Sequence, residues 1–291
     1  MTAALRHASG RLGDCIGTRV ADVAAAALLA ELETWPKPGL VSHADMDAGT
    51  FRASTAAIRP FFAELAAAGT SGAGMAELRG VGLPAERTML AATGGVNTHR
   101  GAIFGLGLLC AAAGAAWTGS APAEGRLTPR LLGAPRLLGA IVRQRWGRTI
   151  TRGPIPLHSH GTAALLRFGA GGARAQAAAG FPHVLDVGLP ALRLGRRLAP
   201  GDAEAARVQA FFALLASVED TNLLHRGGAE GLDFARRAAS RFLAAGGVGQ
   251  AGWREQAAAV HRDFIARRLS PGGCADLLAF TVFLDGLVPF A

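Results

Sequence analysis

Residues 18–39 read TRVADVAAAALLAELETWPKPG. Val20, Val23, Ala24, Ala27, Leu28 and Ala30 share one broad face at helical spacing, and Thr18 is placed to cap its start. The turn Trp35-Pro36-Lys37-Pro38-Gly39 ends that helix, because two prolines and a glycine cannot continue it. The same pattern recurs outward from this stretch. Helices are predicted over 46–68, 84–92, 97–117, 127–146, 161–179, 203–218, 230–245, 252–269 and 275–287. Alternating runs rich in Val, Ile and Thr are nearly missing, so no sheet is expected. The expectation is an all-α fold: one helical domain of about ten helices over residues 18–291, after an N-terminal tail at 1–17. Gly119–Thr128 and Gly147–His160 read as irregular, and no repeat of fixed period stands out.

The chain has 291 residues, half of them hydrophobic and 18% charged, enough for a sizeable core and against wholesale disorder. Its net charge is +9, which suits anionic partners. Tyr is absent and aromatics are 6%, so a stacking platform for nucleic acid is hard to build. Cys15, Cys110 and Cys274 are far apart with no C-x-x-C spacing, which argues against a disulfide framework and a zinc site. Gly101–Ala123 carries no charge, but its Ala and Gly content reads as a buried central helix rather than a membrane span. Neither a membrane nor a secretory signal is expected, and the expected compartment is the cytoplasm.

Polarity that a helical bundle does not need gathers at helix junctions, where side chains from several elements can reach one pocket. Lys37 is the only lysine in a chain whose other cations are Arg, which points to a compact ammonium at a site as readily as to chance. Asp45 and Asp47 follow it, two carboxylates able to cap a helix or hold a divalent metal with its phosphates. Thr93-Gly94-Gly95-Val96-Asn97-Thr98-His99-Arg100-Gly101 stands before the uncharged helix, where backbone N–H groups and the helix dipole can close on an anion. It is not a P-loop. Glu219-Asp220-Thr221-Asn222 with His225-Arg226-Gly227-Gly228 offers acids for Mg²⁺ and an arginine for phosphate, or a solvated turn. Ser270-Pro271-Gly272-Gly273-Cys274-Ala275-Asp276 reads as an ordinary helix start or another anion-binding turn. His158-Ser159-His160 lacks a third ligand at a sensible spacing. Together these residues describe an all-α pocket for a polyphosphate and its Mg²⁺.

The runs Pro36–Val41, Asp45-Met46-Asp47, Thr93–Phe104, Gly171–Arg174, Gly180-Phe181-Pro182, Asp220–Leu223 with Arg226-Gly227-Gly228, and Ser270–Gly273 with Ala275–Ala279 resemble the triphosphoribosyl-dephospho-coenzyme A synthase family, in family order, over about residues 18–287. The resemblance implies a transferase that joins ATP to 3′-dephospho-coenzyme A and expels adenine. The 2′-hydroxyl of the coenzyme ribose replaces adenine at C1 of the ATP ribose. The product is the precursor of a prosthetic group, passed to an enzyme that loads it on the acyl carrier protein of malonate decarboxylase or citrate lyase. Glu33–Pro38 and Phe61-Phe62 look more like the malonate decarboxylase lineage.

Such chemistry passes through an oxocarbenium-like transition state that carboxylates stabilise, with a base for the hydroxyl proton. Under this reading Asp45 and Asp47 serve metal or oxocarbenium, and Asp220 with Glu219 forms a second metal site or the base. Lys37, Arg100, Arg174 and Arg226 hold phosphates, while Asn97, Thr98 and His99 meet the nucleotide. A homo-oligomer is compatible with the resemblance. The chain departs from the family in joining Val41 to Asp45 directly, without several intervening residues, and in carrying Gln176 where the family tends to place Glu. The other classes compatible with the same residues are an all-α Mg²⁺-dependent phosphohydrolase and a non-catalytic basic helical binding protein.

Overall fold

The structure, a computed structural model, describes residues 3–39, 47–117, 134–153 and 167–287. Asp45 and the Val41–Asp45 junction, Gly119–Thr128, and the His158/His160 pair lie outside the described residues. Within them the chain forms eleven α-helices and no strand, so the all-α expectation holds. In order these are α1 (Ala3–Leu32), α2 (Ala48–Thr70), α3 (Met75–Ala92), α4 (Arg100–Ala116), α5 (Ala134–Arg152) and α6 (Gly172–Ala178). A π-turn at Val184–Gly188 leads into α7 (Leu189–Leu198), followed by α8 (Ala203–Ser217), α9 (Thr221–Ala244), α10 (Trp253–Ala266) and α11 (Gly272–Gly286).

Several boundaries differ from the sequence reading for identifiable reasons. Helix α1 starts at Ala3 rather than Thr18. Its early glycines cost helix propensity but do not break the helix as proline would. Helix α3 starts at Met75 and encloses Pro84, because Glu77 reaches back to the Gly74 N–H at 2.6 Å and fixes an earlier start. The carbonyl that Pro84 cannot satisfy belongs to exposed Gly80, where water can reach it. Helix α5 runs on to Arg152, through part of the 147–160 stretch read as irregular, and α7 was not foreseen. Helix α9 begins at Thr221 but bends at Gly228 (φ 61°, ψ −160°), so the expected start at residue 230 corresponds to its second arm.

The core sits around α4. Nearly every side chain from Ala102 to Gly114 is buried, which makes this the central helix that its uncharged sequence suggested. No helix among the described residues is long and apolar enough to cross a membrane. Helix α2 lies against α4 at backbone distance. A Cβ at Gly69 would overlap the Ala111 carbonyl oxygen, and one at Gly114 would overlap that of Ala66. Helix α1 covers the same layer with Val20, Ala24, Ala27 and Leu28. From the second half, α8 inserts Phe211, Phe212, Leu214 and Leu215, and α11 inserts Leu278, Phe280 and Phe283. The tight α2–α4 crossing brings the start of α4 beside α2. In turn α11 crosses α4 near its first turn, with the Phe280 ring against Gly105.

Because the α2–α4 contact is backbone on backbone, added bulk cannot be absorbed by a rotamer change. Gly69→Val and Gly114→Val are each expected to lower unfolding stability by about 1–3 kcal/mol or more. Urea unfolding followed by circular dichroism measures this, and an unchanged midpoint would contradict the close crossing.

Candidate active site

The turn that ends α1 is the first wall of the site. Thr34 donates its hydroxyl proton to Ala30 O at 2.6 Å, and the cis Trp35–Pro36 peptide then redirects the chain. This brings Lys37 back under the helix. Its side chain is 2% exposed, pairs with the Glu31 carboxylate, and donates to the Glu31 carbonyl at 2.8 Å. The ammonium also lies 5.9 Å from the centre of the Phe211 ring, and His261 Nδ1 stands 2.9 Å from the Lys37 carbonyl. Gly39 is required by close approach: a Cβ there would run into Pro271 and the Leu269 carbonyl. The result is a small cleft lined by Lys37, Pro38, Gly39, Phe211, Ser270, Pro271, Gly272 and Ala275.

Helix N-termini form the other walls. Asp220 caps α9, accepting from Asn222 N at 2.8 Å and Leu223 N at 3.2 Å through Oδ1. Its Oδ2 accepts from Cys274 N at 2.8 Å, so one carboxylate clasps the starts of α9 and α11. Burial raises its pKa, while these N–H donors pull the other way. The Asn222 side chain packs on Gly272, and Thr221 packs on Gly172 at the start of α6. The start of α4 joins through Gly101, whose missing side chain leaves room for the Asp276 carboxylate.

His99 is buried beside this junction. Thr98 Oγ1 donates to Ser54 Oγ at 2.7 Å, and Ser54 Oγ lies 2.7 Å from His99 Nδ1. Ser54 Oγ thus stands between the Thr98 hydroxyl and the His99 ring. Burial pushes its pKa down to about 4. The Phe51 ring meets the imidazole edge-on at 5.4 Å, and the His99 N–H donates to Met89 Sδ at 3.2 Å. On the same rim, Asp47 caps α2 through Thr50 N at 2.7 Å and is exposed, with its pKa lowered first by that backbone bond.

Of the residues expected at a site, Lys37 lines the cleft, Asp220 is buried against Cys274 beside it, and Thr98 and His99 stand at the α4 start. Asn97 is exposed and caps α4 by accepting from Arg100 N at 3.2 Å, while Arg100 pairs with Glu86 at 3.1 Å. Arg174 donates to the carbonyls of Ile150 and Gly153 at the end of α5. Arg226 and Glu219 are exposed near the two ends of the first arm of α9.

Sequence reasoning missed the roles of four residues: Glu31, Ser54 and Arg236 were not singled out, and Asp276 was read only as part of a helix start or anion-binding turn. Arg236 Nε is buried without a hydrogen-bond partner, and its charge acts on the Cys274 thiol. Three of the four carried a readable signal. Glu31 continues the stripe Ala24, Ala27, Leu28; Ser54 begins the stripe Ile58, Phe62, Leu65; and Asp276 begins Phe280, Phe283. Each is a polar residue on a buried helical stripe.

An all-helical body whose helix N-termini converge beside a buried lysine is built to receive an anionic ligand. The sequence model of the CitG family, ATP:dephospho-CoA triphosphoribosyl transferase, matches residues 17–289. A probable 2-(5''-triphosphoribosyl)-3'-dephosphocoenzyme-A synthase of Stutzerimonas stutzeri is 39% identical, covering 94% of this chain and 93% of the relative. One of the same name from Azotobacter vinelandii is 40% identical, with 94% and 93% covered. The 2-(5''-triphosphoribosyl)-3'-dephosphocoenzyme-A synthase of Klebsiella pneumoniae is 42% identical, with 89% and 87% covered. No solved structure matches. The chain belongs to the ATP:dephospho-CoA triphosphoribosyl transferase family and is a transferase.

His99 gives the site a pH signature. Its folded pKa of about 4 lies below the ordinary value of 6.5, so the unfolded chain binds the proton first. The stability it contributes is present above about pH 6.5 and is lost as pH falls toward 4, on the order of 3 kcal/mol. Urea unfolding across that window should show the loss in the wild type and a shallower one in His99→Gln. Parallel slopes for the two proteins would contradict the buried neutral imidazole.

Proposed function

We propose that this chain joins ATP to 3′-dephospho-coenzyme A and releases adenine, making 2′-(5″-triphosphoribosyl)-3′-dephospho-coenzyme A. The observation that carries the reading is the family match across residues 17–289, laid over a fold in which the matched motifs supply the converging helix starts. The α4, α6, α9 and α11 N-termini suit the triphosphate and the coenzyme diphosphate. The orphan Nε–H of Arg236 is a buried donor that an incoming phosphate oxygen would satisfy.

Asp45 and Asp47 serve the metal-bearing triphosphate in this reading, with Arg226 beside the α9 arm and Asn97 and Arg100 at the outer edge of α4. Mg²⁺ enters as part of the Mg–ATP substrate, bound through phosphates and one or two carboxylates. His99 orients the nucleotide through its imidazole in this reading. Asp220 with its three backbone donors holds the helix starts in place. The product is passed to a transfer enzyme of the malonate decarboxylase pathway in the cytoplasm, where the buried thiols of Cys110 and Cys274 remain free. A homo-oligomer is compatible with this reading.

The test is a chromatographic assay for free adenine with purified protein, Mg–ATP and 3′-dephospho-coenzyme A. Adenine should appear only when both substrates are present, with a matching gain in coenzyme mass. Inorganic phosphate without adenine would replace this reading with a phosphohydrolase. Salt-sensitive binding of a polyanion with neither product would indicate a binding protein.

A further inference from the structure

The proposed transfer needs a base for the 2′-hydroxyl, and the carboxylates near the cleft are not equivalent. Asp220 has given both oxygens to backbone N–H groups. Glu31 is engaged in an ion pair with Lys37. Asp47 is an exposed cap with a lowered pKa, which weakens it as a base. Glu219 is exposed. Asp276 differs from all of these. It is half-buried in the first turns of α11, against the Gly101 peptide at the start of α4. No described residue donates a hydrogen bond to it or pairs with it.

We infer that Asp276 is the catalytic base of the transfer, an assignment that rests on the function proposed above. Its carboxylate takes the proton of the coenzyme 2′-hydroxyl as that oxygen bonds to C1 of the ATP ribose. The C1–N9 bond breaks, its electron pair leaves with adenine, and the proton is returned to the departing base. The surroundings equip Asp276 for this. Burial, and then the charges of Glu31 from α1 and Asp220 from α9, hold its carboxyl well above the usual carboxylate range. A base is more effective as its proton affinity approaches the working pH. Helix α4 brings an uncharged peptide to the contact, and its one charged side chain, Arg100, is paired with Glu86.

The experiment compares adenine release by wild type, Asp276→Asn and Asp276→Ala. Asp276→Asn should lower kcat by about 10²–10⁴-fold with KM for ATP little changed. Added formate or azide should partly restore turnover to Asp276→Ala, as no structural role would allow. In the wild type, kcat should fall as pH falls through a limb lying above the ordinary carboxylate range. That limb needs no variant, so a folding failure leaves the inference testable. An Asp276→Asn enzyme within about threefold of wild type and with the same limb would overturn it. So would a loss that formate cannot relieve and that accompanies lost ATP binding. A wild type releasing no adenine with both substrates present would overturn the transferase reading and this assignment with it.

Discussion

The buried pair between Lys37 and Glu31 is the constraint on which the site depends. An ammonium that is 2% exposed is tolerable only with its charge and donors satisfied, and Glu31 supplies both a carboxylate and a carbonyl. That requirement folds the Trp35–Gly39 turn back along α1 instead of letting it run into solvent. With the turn so placed, Gly39 rests on residues 269–271 and the Lys37 carbonyl meets His261. One ion pair thus sets the spacing between the first helix and the last two.

The rest of the pocket is shaped by what is missing at glycine positions. Gly101, Gly172, Gly272 and Gly273 each let a side chain from another helix approach where a Cβ would intrude. Helix starts are drawn together in this way, although their positive dipole ends would repel one another. The Asp220 carboxylate offsets part of that repulsion by standing between the starts of α9 and α11.

Much of this was legible in the sequence. The all-α class followed from apolar spacing in residues 18–33, and the glycine-flanked junctions at residues 94–101 and 270–273 were found because such polarity is unneeded in a bundle. Lys37 stood out as the sole lysine. Glu31 and Ser54 escaped because each is embedded in an apolar helix away from the junctions, and Asp276 was legible only as part of a helix start. Pairings escaped as well: nothing local says that Arg174 will meet the end of α5, or that Ser54 will turn its hydroxyl to His99 across 45 residues. Such contacts depend on the crossing of helices, and that crossing was set by glycines at 69 and 114 that read as ordinary small residues.

The bend of α9 illustrates a different kind of constraint. Around Gly228 nothing lies within 4 Å of where a side chain would begin, yet its φ of 61° and ψ of −160° are foreign to L-residues. The objection at this position is to handedness and not to bulk. The mirror image of those angles is the polyproline region, in which an L-alanine is comfortable. A D-alanine introduced by chemical ligation would therefore fit at 228, bend included, where its L-enantiomer would not.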